Sequence, residues 1–359
     1  MKIFFTIKSL HAAAGTERVT IAVANELAKR NYEVGIIIFV KEGTPHFEVN
    51  TAVKLIYLHN KADKRASLTR DFSRRKQLKQ IYKAEQPDVV IFVGSGRSML
   101  NIPAAKGIPS ITWEHFNAKI NWHLFHPLSK WLAARFCDRI VTLTNQDAEN
   151  YRKMYGAGNA VCIPNPITID TSVQSPLRDK IVLSVGRLTE QKGFDMLLDA
   201  WSKVQNRKQG WKLRIVGNGK LKNVLLDKID LLDLQDSVEI TPPTHDIVSL
   251  YRSASIYVMS SRYEGLPMVL IEAMAMGLPI VSFDCETGPA EIVTDHVTGI
   301  LVPPLDVNRL AIELDNLMQD KEKRELFSIN SVEKAGLYTM DKIMEKWETL
   351  LMELEKKTR

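Results

Sequence analysis

The chain predicts two α/β domains, each built on a parallel sheet, and three observations carry that expectation. Its 359 residues are too many for one ordinary core and suit two domains of usual size. Short apolar runs alternate with segments of helical apolar spacing. Residues 2–7 are followed by Val19, Val23 and Leu27 and then by the run 34–40, a βαβ opening. Glycine-bearing turns follow several of the runs, at the carboxyl edge where such sheets gather ligands.

The totals narrow the class. With 45% hydrophobic and 25% charged residues the chain reads as soluble and globular. No run approaches the roughly 20 apolar residues of a spanning helix, and Lys8 and His11 cut the first apolar run too short for a signal peptide. A cytoplasmic protein is expected. Cys137, Cys162 and Cys285 are widely spaced, which suggests three buried hydrophobes rather than a disulfide framework or a zinc site. The net charge of +6 is uneven: the first 166 residues carry 24 Lys/Arg against 13 Asp/Glu, a net +11, and the remainder nets −5. A basic first half favours an anionic partner.

In the first half, Gly15 lies between a strand and a helix, where a phosphate can approach the backbone. The G-x-G-x-x-G fingerprint is absent, which disfavours nicotinamide chemistry. A helix is predicted over 61–85, with nine basic residues (61, 64, 65, 70, 74, 75, 76, 79 and 83) that form either a solvated face or a surface for anionic lipid. Nucleic acid is disfavoured, since no aromatic residues interleave with the charges. The strand 109–113 delivers Glu114 and His115 to the carboxyl edge. An apolar helix over 122–136 follows, assigned mostly to the core, and then a strand over 138–144 with 145–147 as a helix cap. The first domain is expected to end near Pro166.

In the second half, residues 176–179 form a polar linker, and the strand 180–186 runs into a loop with Arg187 and Lys192. Two cations five residues apart, before a helix N-terminus, can share one diphosphate. A strand over 211–217 ends in a loop with Gly217 and Gly219, and a short helix is expected over 246–253. After the strand 256–259, Glu264 and Glu272 stand eight residues apart, slightly more than two helical turns. With a helix starting near Pro267, Glu264 lies in the loop and Glu272 on the first turns. Spacing alone would make them a helix-start pair that suits the dipole. A Gly288-Pro289 turn caps a further helix, Asp306 opens another to Met318, and Met340, Ile343, Trp347, Leu350 and Leu354 mark an amphipathic tail.

The surroundings of the two acids carry more than their spacing. Ser261, Glu264, Gly265, Pro267, Glu272, Ala273 and Gly277 together resemble the E-x7-E region of retaining glycosyltransferases of family 4, and residues 186–193 match their G-R-L-x-x-x-K-G segment. Only Ala14 departs near the first loop, where a second Gly is common. The resemblance implies the GT-B fold: two Rossmann-like, doubly wound domains facing across a cleft, at 1–168 and 169–335, with a helix at 336–359 crossing back to the first. It implies that Arg187 and Lys192 hold the donor phosphates, that Glu264 contacts the donor hexose, and that Glu272 takes the ribose hydroxyls. Gly265 and Leu266 complete the donor loop, Gly217 and Gly15 approach the nucleotide and diphosphate, and His115 lies by the donor sugar. Its catalytic set is therefore His115, Arg187, Lys192 and Glu264.

The expected activity is metal-independent, retaining transfer of a hexose or N-acetylhexosamine from a nucleotide diphosphate sugar, with UDP favoured by the habits of similar enzymes. No Asp-x-Asp motif stands at a strand end, so cations and helix dipoles would replace a metal, and no cofactor is expected. The acceptor suggested is a lipid-linked sugar at the cytoplasmic membrane face, in surface polysaccharide or glycan synthesis. Three rivals follow from the same residues. A phosphorylase is disfavoured by the short chain and the lack of a pyridoxal-phosphate lysine segment. A UDP-sugar epimerase is disfavoured by the full Arg/Lys and two-Glu set. A non-catalytic sugar-nucleotide-binding scaffold at the membrane is disfavoured by the same intact residues.

Overall fold

The computed structural model describes every residue except 13, 41–42, 59–67, 122–123, 245 and 359; of 68–70 and 356–358 it describes the backbone alone. The chain divides into two compact units: residues 1–168 with 340–359, and residues 169–339.

The first unit contains β1 (Lys2–Ile7), α1 (Gly15–Lys29), β2 (Glu33–Ile38), β3 (Lys54–Tyr57), α2 (Leu68–Glu85), β4 (Val89–Val93), α3 (Ser98–Ala104), β5 (Ser110–Trp113), α4 (His126–Phe136), β6 (Arg139–Thr142), α5 (Asn145–Tyr155) and β7 (Ala160–Cys162). Its seven strands run in the order β3-β2-β1-β4-β5-β6-β7, every pairing parallel. Burial on both faces explains why β1, β2 and β4 are almost uninterrupted apolar runs.

Several expected boundaries move. Gly15 is the first residue of α1 rather than a loop residue, because Ala14 takes the extended N-cap conformation (φ −111°, ψ 158°). A Cβ at Gly15 would meet nothing, so no close packing demands glycine there. α2 begins at Leu68; residues 59–67, and with them basic positions 61, 64 and 65, lie outside the described residues. The cap of α5 is Thr144, whose hydroxyl accepts from the Asp147 N–H, and not Asn145, which is already helical. Cys162 is half-buried rather than buried.

The largest correction concerns the apolar helix. It starts at His126, Trp122 lies outside the described residues, and the surface of α4 is not core. Leu124 (88% exposed) and Phe125 (61%) just precede the helix, and on it Trp131 is 45% and Phe136 56% exposed. The buried side is instead mostly polar, with His126, Ser129 and Lys130 beside Ala133.

The second unit contains β8 (Ile181–Val185), α6 (Phe194–Lys203), β9 (Lys212–Val216), α7 (Lys222–Leu231), β10 (Val238–Thr241), α8 (Ile247–Arg252), β11 (Ile256–Met259), α9 (Met268–Ala275), β12 (Ile280–Phe283), α10 (Pro289–Ile292), β13 (Gly299–Val302), α11 (Val307–Gln319) and α12 (Lys321–Ala335). The six strands, again all parallel, follow β10-β9-β8-β11-β12-β13. Trp201, Trp211, Leu213, Phe283, Leu310 and Leu314 are central to its core.

The last helix, α13 (Met340–Thr358), belongs to the first unit. Ile343, Met344, Trp347, Leu351 and Leu354 are buried, a stripe with helical period. The Trp347 ring meets Trp113 of β5 edge-on at 5.0 Å, and Arg30–Glu348 and Arg139–Glu353 ion pairs flank the contact, each at 3.2 Å. Burial of a whole indole dominates this attachment, since the ion pairs are partly solvated. Among the described residues no helix is long and apolar enough to cross a membrane.

Trp347→Ala should cost about 3–5 kcal/mol in urea unfolding, as expected for a fully buried tryptophan truncated to a methyl group. Arg139→Ala, removing one of the flanking pairs, should cost less than about 1 kcal/mol in the same measurement.

Candidate active site

In each unit the strand order reverses direction once, between β1 and β4 in the first and between β8 and β11 in the second. The loops leaving two such strands diverge and open a crevice, the usual place for a ligand in an open parallel sheet. In the second unit those loops carry Arg187 with Lys192 after β8, and Glu264 after β11.

The loop after β8 is folded tightly. A Cβ at Gly217, just beyond β9, would collide with the Gly186 carbonyl oxygen, so the loops after β8 and β9 touch through backbone. Gly193 sits at φ 62° with the Ser260 carbonyl where a Cβ would be, and it turns the chain into α6. This contact brings the β8 loop against the β11 loop. Ser260 Oγ donates to the Lys192 carbonyl at 2.9 Å, and Arg262 grips Asp195 with both terminal nitrogens at 2.9 and 2.7 Å. The Arg262 guanidinium holds the Asp195 carboxyl below its usual range, against the opposing effect of burial.

At the junction Lys192 Nζ donates to Glu264 Oε1 at 2.6 Å, with side-chain exposures of 14% and 8%. Arg187 is exposed, with its guanidinium 3.4 Å from Gln191 Oε1. The same junction thus combines a solvated guanidinium, a nearly dry ammonium and a nearly dry carboxylate. An ammonium has three donors, and Glu264 is the sole acceptor for Lys192 among the described residues. The Thr287 hydroxyl ties the Glu264 carbonyl to the loop after β12.

Glu272 lies on α9, not in the loop, and is 2% exposed; the buried Tyr251 of α8 donates to its Oε2 at 2.8 Å. Gly265 and Leu266 occupy the turn between the two acids, and Gly265 carbonyl packs where a Gly288 Cβ would stand. Sequence-derived residues Arg187, Lys192, Gly217, Glu264, Gly265, Leu266 and Glu272 therefore share one edge of one unit. Tyr251, Ser260, Arg262–Asp195 and Thr287 were not legible beforehand, because ordinary polar residues acquire these partners only through the fold.

In the first unit His115 follows β5 and stacks on Trp113 at 4.5 Å between centroids. Burial pulls its imidazole down to about 3, and its buried Nε2 has no hydrogen-bond partner among the described residues. A neutral ring with an unspent nitrogen at a strand end can bond a ligand hydroxyl. Gly15 stands at the edge of the same sheet, after β1.

Residues 167–334 match the family model described as glycosyl transferases group 1, and residues 13–171 match that of glycosyltransferase family 4. An uncharacterised glycosyltransferase of Haemophilus influenzae is 37% identical over 98% of this chain and 99% of its own length. The GalNAc-alpha-(1->4)-GalNAc-alpha-(1->3)-diNAcBac-PP-undecaprenol alpha-1,4-N-acetyl-D-galactosaminyltransferase of Campylobacter jejuni is 27% identical over 99% of both. Among solved structures, Anabaena HepE in complex with UDP and glucose superposes with a TM-score of 0.78 at 18% identity, covering 98% of this chain and 100% of that one. At that identity the likeness shows the fold.

Two buried groups give acid behaviour opposite signs. His115 binds a proton at about 6.5 when unfolded and at about 3 when folded, so its burial costs nothing above 6.5 and destabilises increasingly as pH falls. Asp147, pushed up to about 6 chiefly by burial, destabilises above that pH and relaxes as pH falls towards 3.8. His115→Gln should therefore flatten the loss of stability between pH 6.5 and 5, by up to about 1.4 kcal/mol per pH unit in urea unfolding. Asp147→Asn should steepen it.

Proposed function

The chain belongs to the group 1 glycosyl transferases of glycosyltransferase family 4, with the GT-B fold, and from that premise we propose a retaining transfer of a hexose or N-acetylhexosamine from UDP-sugar to a lipid-linked glycan acceptor. The observation that carries it is the Arg187, Lys192 and Glu264 cluster at the strand-order switch of the second unit.

Arg187 and Lys192 take the donor diphosphate, the exposed guanidinium reaching out and the ammonium turning its remaining donors towards phosphate oxygen. Glu264 accepts from sugar hydroxyls and, at 2.6 Å from Lys192, keeps that ammonium in place. Glu272 takes the ribose hydroxyls, with Gly217, Gly265 and Leu266 shaping the donor loops; Gly15 is assigned to the diphosphate on the family resemblance alone. The anomeric carbon–oxygen bond to the diphosphate breaks as the acceptor oxygen bonds the same face. The acceptor proton passes to the departing phosphate oxygen, whose charge the two cations neutralise. Glu264 orients rather than attacks; a covalent glycosyl-Glu264 species trapped from the enzyme would overturn that role. His115, neutral and with an unspent Nε2, bonds a donor-sugar hydroxyl.

UDP rather than another nucleotide is supported by HepE, solved with UDP and glucose, and a lipid-linked acceptor by the undecaprenol-bearing name of the Campylobacter relative. The basic first unit supports peripheral association with the inner membrane face. Along 115–137 there is no Asp or Glu, Lys119 and Arg135 are exposed, and α4 exposes Leu128, Trp131 and Phe136. Apolar side chains beside cations suit an anionic bilayer surface. On α2 the exposed Lys76, Lys79 and Lys83 add to that charge.

Calorimetric titration with UDP, GDP and ADP tests the donor site. UDP should bind, and Arg187→Ala/Lys192→Ala should weaken it about 100-fold, since each charge-assisted bond is worth ~1.5–3 kcal/mol. Binding of no nucleotide to folded protein would sink the reading. Sedimentation with phosphatidylglycerol vesicles tests the membrane: wild type should pellet with them, Leu128→Glu/Trp131→Glu should stay largely in the supernatant, and phosphatidylcholine vesicles should capture neither.

A further inference from the structure

The turn after β5 is gripped by buried charges that the proposed reaction does not use. Lys130 of α4 has no solvent exposure, yet its Nζ donates to the carbonyls of Ala118 and Ile120, each at 2.7 Å, and lies 3.4 Å from the Asn117 carbonyl and 3.3 Å from Asn121 Oδ1. Asp147 of α5, 5% exposed, accepts from the Ala118 N–H at 2.8 Å. A cation and an anion thus hold the two backbone groups of a single residue. On the other side of His115, Glu114 Oε2 accepts from the Tyr151 hydroxyl at 2.8 Å and from the Ser95 N–H at 3.2 Å.

Lysine is almost never fully buried unless paired, and taking an ammonium out of water costs several kcal/mol before its bonds offset it. Apolar packing could close a turn without that cost. What it cannot do is accept from the Ala118 N–H while donating to the carbonyls of Asn117, Ala118 and Ile120, and so hold one backbone path against its neighbours. Burial lowers the Lys130 pKa, and the nearby Glu114 and Asp147 carboxylates oppose that shift.

We propose that Lys130 and Asp147 are positioning residues, holding the 117–121 turn so that His115 stays buried against Trp113 at the end of β5. The functional weight of this rests on the donor-facing reading of His115 given above; the holding itself does not. Neither residue touches substrate in this account.

The full chain with carbon-13 labelled histidine, observed by NMR between pH 5 and 8, tests it, with His115→Gln assigning the signal. In wild type the His115 ring signal should not titrate. In Lys130→Met and in Asp147→Ala it should titrate near 6.5, while the His46 and His296 curves stay as in wild type. Asp147→Asn should keep His115 silent, because its amide oxygen still accepts from the Ala118 N–H. A silent His115 in both Lys130→Met and Asp147→Ala overturns the proposal, and so does an Asp147→Asn curve identical to that of Asp147→Ala. If Lys130→Met fails to fold, the two Asp147 variants decide alone. UDP release from UDP-glucose, UDP-galactose and their N-acetylhexosamine counterparts by His115→Gln is read separately. Unchanged release there would remove His115 from the reaction and leave the positioning result standing.

Discussion

Parallel strand pairing is the constraint from which the rest of this structure follows. When every strand in a sheet points the same way, each must be followed by a return across a face, and every strand ends on the same edge. The seven- and six-stranded sheets both obey this without exception. Arg187, Lys192, Gly217, Glu264 and His115 are far apart in sequence, yet each follows directly on a strand or its loop. The reversal of strand order then selects β8 and β11, out of six strands, to bring a cation and a carboxylate within 2.6 Å.

Both units spend charge at that edge. The Lys192–Glu264 pair and the Lys130, Asp147 and Glu114 group are nearly dry, and ionic groups in that state are weak contributors to stability. Their common property is geometric definition: a bond to a charge is short and directional, and losing one partner leaves the other exposed to its full desolvation cost. Backbone does the same work where charge does not. Gly193 and Gly217 allow loops to meet carbonyl to Cα, closer than any side chain permits, and so fix the separation of the charged residues they carry.

The apolar helix α4 shows where pattern reading fails. Its leucines, tryptophan and phenylalanines suggested core, but α4 turns Lys130, His126 and Ser129 inward and Leu128, Trp131 and Phe136 outward. Hydrophobicity measures what burial would gain; it does not say which face has a partner. Here the inner face found backbone carbonyls that need a cation, and that demand outweighed the apolar side chains.

Alternation of apolar runs with helical spacing was enough to read the α/β class, the parallel sheets and the amphipathic last helix, because those patterns reflect the periodicity of local backbone structure. The strand-end motifs containing Arg187, Lys192, Glu264 and Glu272 were legible too, since glycine, proline and charge at fixed spacing leave a local trace. Burial of Lys130, the Tyr251–Glu272 bond, the Arg262–Asp195 brace and the seating of Trp347 on Trp113 were decided by tertiary structure alone. Each joins residues separated by at least nine positions, and a side chain's partner at that range depends on sheet order and helix rotation, which no local pattern records.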